Sequence, residues 1–150
     1  MPVAIKICGL TDDAAVRAVV AAKADYAGFV HFPASPRHLS VGRAAQLRAA
    51  LPASVKSVSV LVDPDDAVLT QITSLLKPDY LQLHGGETPP RVREIKTRFP
   101  SCKIIKSIPI ATADDVAQAM RYADAADMLL FDARPPELPG VLPGGNGLAF

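Results

Sequence analysis

Two cysteines are all this chain has, Cys8 and Cys102, far apart in a sequence of 150 residues. So sparse a pair makes a poor disulfide framework, and two free thiols in a reducing cytoplasm are the simplest expectation. No stretch concentrates Lys or Arg, and the formal net charge is only +1. That argues against a nucleic-acid or polybasic membrane partner. No apolar run approaches the roughly 18 residues of a membrane span. Met1-Pro2 leads into a short strand, not into the basic and long apolar regions of a signal peptide. No His, Cys and Asp fall at metal-ligand spacing. Proline is plentiful, with 14 residues, but it punctuates loops and forms no polyproline tract. What remains is a soluble, globular chain of single-domain size, 49% hydrophobic.

Strand and helix patterns alternate throughout. Val3–Leu10 reads as strand 1 and Asp12–Lys23 as its helix; Asp25–Phe32 is strand 2, and Ser40 caps a helix over Val41–Leu51. Val55–Val62, Tyr80–His84, Lys103–Ile110 and Met128–Asp132 are strands 3 to 6. Asp65–Leu76, Pro89–Phe99 and Ala113–Ala123 are the helices between them. Such alternation indicates βαβ units and a parallel sheet in one α/β domain over 1–150. No internal repeat beyond this structural period stands out.

Side-chain parity narrows the architecture. Lys6 and Cys8 share one face of strand 1, as do Gln82 and His84 in strand 4 and Leu130 and Asp132 in strand 6. A parallel sheet covered on both sides is apolar on both, whereas a barrel tolerates polar groups on its inner face near the catalytic end. Parity therefore favours a (β/α)8 TIM barrel, of which about six βα units are legible. The competing architecture is an open doubly wound sheet with polar strand ends. Lys106 is placed inward with no role attached, and Cys102 is read as structural.

Two strand ends carry proton-transfer groups. Ile7-Cys8-Gly9 puts a thiol at the mouth of the first βα unit, and Met128-Leu129-Leu130-Phe131-Asp132 ends in a carboxyl. Catalytic groups collect at such C-terminal strand ends, so Cys8 and Asp132 are candidates for a paired acid and base. The bland alternative is a buried cysteine and a turn-capping aspartate. Arg37, in the proline-stiffened Ser35-Pro36-Arg37-His38, offers a fork that fits a carboxylate, or is a solvated loop residue. His84 either touches substrate or is a satisfied core histidine. Gly144-Gly145-Asn146-Gly147 looks like a phosphate cradle, yet no Gly-Lys-Ser/Thr follows it.

Lys6-Ile7-Cys8-Gly9-Leu10, Gly28-Phe29-Val30 with Ser35-Pro36-Arg37, Leu81-Gln82-Leu83-His84-Gly85, Asp132 and Gly144-Gly145-Asn146-Gly147 occur in one order along the chain. In that order they resemble the phosphoribosylanthranilate isomerases, the (β/α)8-barrel enzymes of tryptophan biosynthesis. The resemblance covers the whole sequence. It departs at His31, where the family usually has an aromatic, and at Asp63, where Asn is common. It implies an Amadori rearrangement of N-(5-phosphoribosyl)anthranilate, with Cys8 as general base and Asp132 as general acid. It also implies Arg37, His84 and Gly145 as substrate contacts, no cofactor and no metal. The expected partner is a small phosphosugar, with no nucleic acid and no membrane, and the expected form is a cytoplasmic monomer or homodimer. In the family the phosphate is gripped by loops after strands 7 and 8. The expectation is therefore that residues 1–150 alone are inactive and aggregate or pair through their sheet edges. The alternative function is a non-catalytic βα fragment completed by a partner.

Overall fold

The computed structural model describes residues 3–135 together with 141 and 144. Its strands are β1 (Lys6–Cys8), β2 (Tyr26–His31), β3 (Lys56–Leu61), β4 (Tyr80–Leu83), β5 (Lys103–Ile110) and β6 (Met128–Ala133). Between them run α1 (Asp13–Ala21), α2 (Val41–Ala49), α3 (Asp66–Leu75), α4 (Pro89–Arg98) and α5 (Ala113–Ala119), the last continuing into a 3-10 turn at Met120–Tyr122. Every strand pair is parallel, and the order in the sheet is the order in the chain. That order decides between the two architectures. A doubly wound sheet reverses direction at a switch point, whereas here each crossover steps the same way. Right-handed crossovers of constant direction put all helices on one face. The result is a parallel half-barrel of the (β/α)8 TIM type.

The helices begin where capping chemistry allows. Asp12, Ser40, Asp65 and Thr88 each accept the backbone N–H three residues on, and Thr112 forms a capping box with Asp115. Pro89 and Pro90 occupy the first turn of α4, where no N–H is needed. The helices bury Leu47, Leu69, Ile72, Val92 and Ile95 against Ala27, Phe29, Leu81, Leu83 and Ile104 of the sheet. The opposite face of the sheet packs Val30, Val58, Val60, Tyr80 and Ile105 on one another. No helix among the described residues is long and apolar enough to cross a membrane.

One device repeats at the N-terminal end of the sheet. Asp25, Asp79 and Asp127 each stand one residue before an even-numbered strand. Each accepts a backbone N–H from the preceding odd strand or its first flank: from Ile5 at 2.7 Å, Ser57 at 2.9 Å and Ile104 at 2.7 Å. Burial opposes the charge on Asp79, but the Ser57 amide and hydroxyl outweigh it and hold the carboxyl below its ordinary value. At Asp127 burial is likewise outweighed, by Lys96 and the Ile104 amide. This is a pairwise repeat that the period of the strands did not disclose.

Two expectations are corrected here. The ladder of β1 covers only Lys6–Cys8 of Val3–Leu10, because it lies at the edge of the described sheet and has one neighbour. Its flanks still bond, Ile5 O to the amides of Asp25 and Tyr26, and Gly28 O to those of Gly9 and Leu10. Lys106 does not point inward. Its register opposite Leu83 puts it on the helix side with Ile104, where it is 2% exposed.

His31 is also on the helix side and buried. Its Nδ1–H donates to Leu39 O at 3.2 Å, and the Ser59 hydroxyl faces Nε2 at 3.4 Å. Burial pushes this imidazole down to about 4, against the Leu39 bond and with a small push from His38. The unfolded chain takes up the proton near 6.5, so between these values it binds more protons than the folded chain. Stability is therefore expected to fall as pH drops through that window, His31 contributing on the order of 3 kcal/mol. In urea titrations from pH 7 to 4, His31→Phe should flatten the dependence. An unchanged slope would show that His31 protonates normally in the folded state.

Candidate active site

Every strand delivers its C-terminal end to the same rim. β1 stops at Cys8 because Gly9 turns the chain at φ +83°, a conformation that suits glycine. A Cβ on Gly9 would also lie 2.5 Å from Arg37 Cδ, so the arginine stem rests on bare backbone. Cys8 pairs in register with Gly28, and a Cβ there would stand 2.8 Å from the Cys8 sulfur. Glycine at 28 thus makes room for the thiol.

Arg37 is carried by a loop folded back on β2. Ser35 N bonds Phe32 O, His38 N bonds Ser35 O, and Leu39 N returns to Val30 O. The buried Ser35 hydroxyl accepts the Arg37 amide at 3.2 Å. The guanidinium has no carboxylate within ion-pair distance among the described residues.

Cys8, Arg37, His84 and Asp132 line one cavity of about 230 Å³, with Lys6, Gln82, Val30, Val60 and Leu130 in its wall. At its far side His84 Nε2 stands 3.2 Å from Asp132 Oδ2, and Gln82 Nε2 stands 2.8 Å from His84 Nδ1. The Ser107 hydroxyl faces the same Nε2 at 3.4 Å. Burial holds the His84 imidazole below its ordinary value; Asp132 pulls the other way, and Lys106 and Lys6 add to the lowering. Gly144 lies against this pair, where any side chain on it would collide with His84 Nε2 and Asp132 Oδ2.

Beneath the rim a buried ion pair braces two loops. Lys106 Nζ donates to Glu87 Oε2 at 2.9 Å, Gly85 O at 2.8 Å and Leu83 O at 3.2 Å, which uses all three protons. The Glu87 carboxylate also accepts the amides of Asp63 and Gly85. Asp63 in turn accepts the Gly86 amide at 2.7 Å, and its own backbone sits at φ +44°. Gly85 must be small, since a Cβ there would meet the Asp63 carboxyl at 2.5 Å. The loops after β3 and β4, on either side of His84, are thus held by one network.

Four of the five expected site residues come together in the cavity; Gly145 lies outside the described residues. Sequence reasoning placed Lys6 and Gln82 inward but gave them nothing to do. It missed Gly28 as the neighbour of the thiol, and the Lys106–Glu87 brace. Parity could have put Lys106 on the helix side, since it shares a face with Ile104, Ile108 and Ile110.

A sequentially ordered parallel sheet with its polar groups gathered at the C-terminal strand ends places the chain among the α/β barrels. Residues 5–150 match the family model described as N-(5'phosphoribosyl)anthranilate (PRA) isomerase. The N-(5'-phosphoribosyl)anthranilate isomerase of Parvibaculum lavamentivorans is 52% identical over 151 residues, covering all of this chain and 70% of that protein. Among solved structures, a phosphoribosyl anthranilate isomerase in complex with reduced 1-(o-carboxyphenylamino)-1-deoxyribulose 5-phosphate superposes with a TM-score of 0.80. It is 29% identical and covers 88% of this chain and 66% of that one. A second, of mutually generated monomers of the dimeric enzyme from Thermotoga maritima, gives 0.79 at 29% identity, covering 88% and 65%. The chain thus spans just under two thirds of these solved chains. It belongs to the N-(5'-phosphoribosyl)anthranilate isomerase family.

Proposed function

We propose that the cavity of this chain is the acid–base centre of an enzyme that catalyses the Amadori rearrangement of N-(5'-phosphoribosyl)anthranilate to 1-(2-carboxyphenylamino)-1-deoxyribulose 5-phosphate. The observation that carries this reading is the convergence of Cys8, Arg37 and Asp132, from β1, the loop after β2 and β6, on one cavity. The reaction is internal to the substrate: C1' is reduced and C2' oxidised, and only protons move. Asp132 protonates the ribose ring oxygen, the C1'–O bond breaks, and the nitrogen lone pair forms a Schiff base. The thiolate of Cys8 then takes the proton from C2', leaving an enolamine that becomes the ketose when C1' gains a proton and the C2' hydroxyl gives one up. Each transfer is fastest when donor and acceptor are poised near the working pH. The phosphosugar analogue bound by the solved relative has the carbon skeleton of that product.

Arg37 is proposed to hold the anthranilate carboxylate through its planar fork, with His84 and Gly145 as further substrate contacts. Free Cys8 and Cys102 suit a cytoplasmic protein, working as a monomer or homodimer without nucleic acid or membrane. A non-catalytic fragment completed by a partner is the weaker reading, because the family model and the curated relatives matched over the chain are isomerases. Size and turnover measured on one preparation of the chain separate the two. Chromatographic conversion of the aldose to the ketose supports the isomerase, and absence of conversion by a monodisperse chain would favour the fragment.

Arg37→Ala removes a charged hydrogen bond to the substrate. It is expected to reduce kcat/KM by the equivalent of about 1.5–3 kcal/mol. An unchanged kcat/KM would return Arg37 to the solvated loop.

A further inference from the structure

We propose that Gln82 is a positioning residue that fixes which nitrogen of His84 carries the proton, and through it makes His84 a hydrogen-bond donor to Asp132. The role of Asp132 in turnover rests on the isomerase reading above; the placement of the proton does not.

Gln82 is 2% exposed on the inner face of β4, two residues before His84. Its side-chain NH2 stands 2.8 Å from His84 Nδ1. A neutral imidazole has one N–H and one bare nitrogen. If Nδ1 accepts from the amide, Nε2 must hold the proton, and Nε2 is the atom 3.2 Å from Asp132 Oδ2. A carboxylate can only accept, so an amide donor on one side and Asp132 on the other demand the same tautomer. The amide keeps this orientation although its own Oε1 is buried without a hydrogen-bond partner among the described residues. Carbonyl oxygens tolerate that state better than N–H groups; turning the amide over would strand its NH2 at the same dry place.

The groups facing His84 keep it neutral. Asp132 on β6 favours the imidazolium, but burial opposes it, and so do Lys106 on β5 and Lys6 on β1. Ser107 on β5 has a rotatable hydroxyl and can serve either tautomer. Gln82 is therefore the group that selects one. With His84 donating, the Asp132 carboxylate left after proton delivery is stabilised. A bare Nε2 in its place would oppose it.

Nitrogen-15 NMR of the whole chain labelled in its three histidines reads the tautomer directly, His84 being assigned with His84→Asn. At pH 7.5 the expected result is a protonated Nε2 and a bare Nδ1. Gln82→Met, close in size but with no donor, should yield mixed tautomers. Gln82→Glu, which puts a carboxylate acceptor at Nδ1 while Asp132 keeps its hold on Nε2, should protonate Nδ1 as well and yield the imidazolium. In the turnover assay Gln82→Met should lower kcat roughly tenfold, a fraction of the ~10²–10⁴ that an acid contributes. KM should stay nearly constant. A protonated Nδ1 in the unmodified chain, or an unmoved tautomer in both variants, would overturn the proposal. The NMR reading needs no substrate, so absence of turnover bears on the isomerase reading only and leaves this proposal to be decided by the spectrum.

Discussion

Replacing Cys8 with alanine in the full-length enzyme is expected to lower kcat by about 10²–10⁴-fold and to leave folding nearly unchanged. The thiol is half-buried at the end of an edge strand and packs only at the margin of the inner apolar cluster, so its loss opens little. If it is the base that removes the C2' proton, no other thiol can substitute, because Cys102 is buried at the start of β5. There Cys102 bonds Pro78 O, and burial pushes its thiol up. Cys8→Ser keeps the shape but offers a far weaker acid, and it should fall in the same range. Steady-state kinetics beside a thermal melt make the distinction. Near-normal turnover in Cys8→Ala would remove this residue from the mechanism.

The largest effect on stability is expected at Lys106. Lys106→Met leaves the Glu87 carboxylate buried without its cation, a loss of about 3–5 kcal/mol. In a domain of this size that lowers Tm by roughly 6–20 °C. Glu87→Gln is the milder partner, since an amide oxygen still accepts from Asp63 or Gly85. The double variant should be less destabilised than the two single losses added together, because it leaves no unpaired buried charge. A Lys106→Met protein melting within a degree or two of the unmodified chain would mean that water or a neighbour already neutralises Glu87. The brace also fixes the loops beside His84. Activity in Lys106→Met should therefore decline at temperatures below the global melt.

Much of this was legible in the sequence. Six strands and their helices follow from hydrophobic period and capping residues, and Cys8 and Asp132 declare themselves by ending strands in ionisable groups. Arg37 was legible because Pro36 and Ser35 stiffen the loop that carries it. The strand order was not, since periodicity says which residues are strand and nothing of which strand lies beside which. Only the constant direction of the crossovers excludes the doubly wound sheet. Lys106 was misplaced because a charged residue in a barrel strand suggests the polar interior. Its mate Glu87 lies in a loop 19 residues earlier, and no local pattern links the two. Gln82 could be put on the right face, but its hold on His84 depends on rotamers that sequence does not display.

The aspartates before β2, β4 and β6 have a consequence for how such a sheet can be taken apart and rebuilt. A carboxylate joins β1 to β2, β3 to β4 and β5 to β6, while the seams at β2–β3 and β4–β5 carry none at that end and are closed there by Asp25 O and Asp79 O, with the Cys102 thiol on Pro78 O beside the second. The natural unit of exchange is therefore a pair of strands with the helix between them. Such a pair carries its own carboxylate clasp, and the seam it leaves asks chiefly for a carbonyl and an amide, which any sequence supplies. Lineages that copied, spliced or swapped segments at the β2–β3 and β4–β5 seams would have kept every clasp intact, whereas a break within a pair would leave an aspartate with nothing to hold.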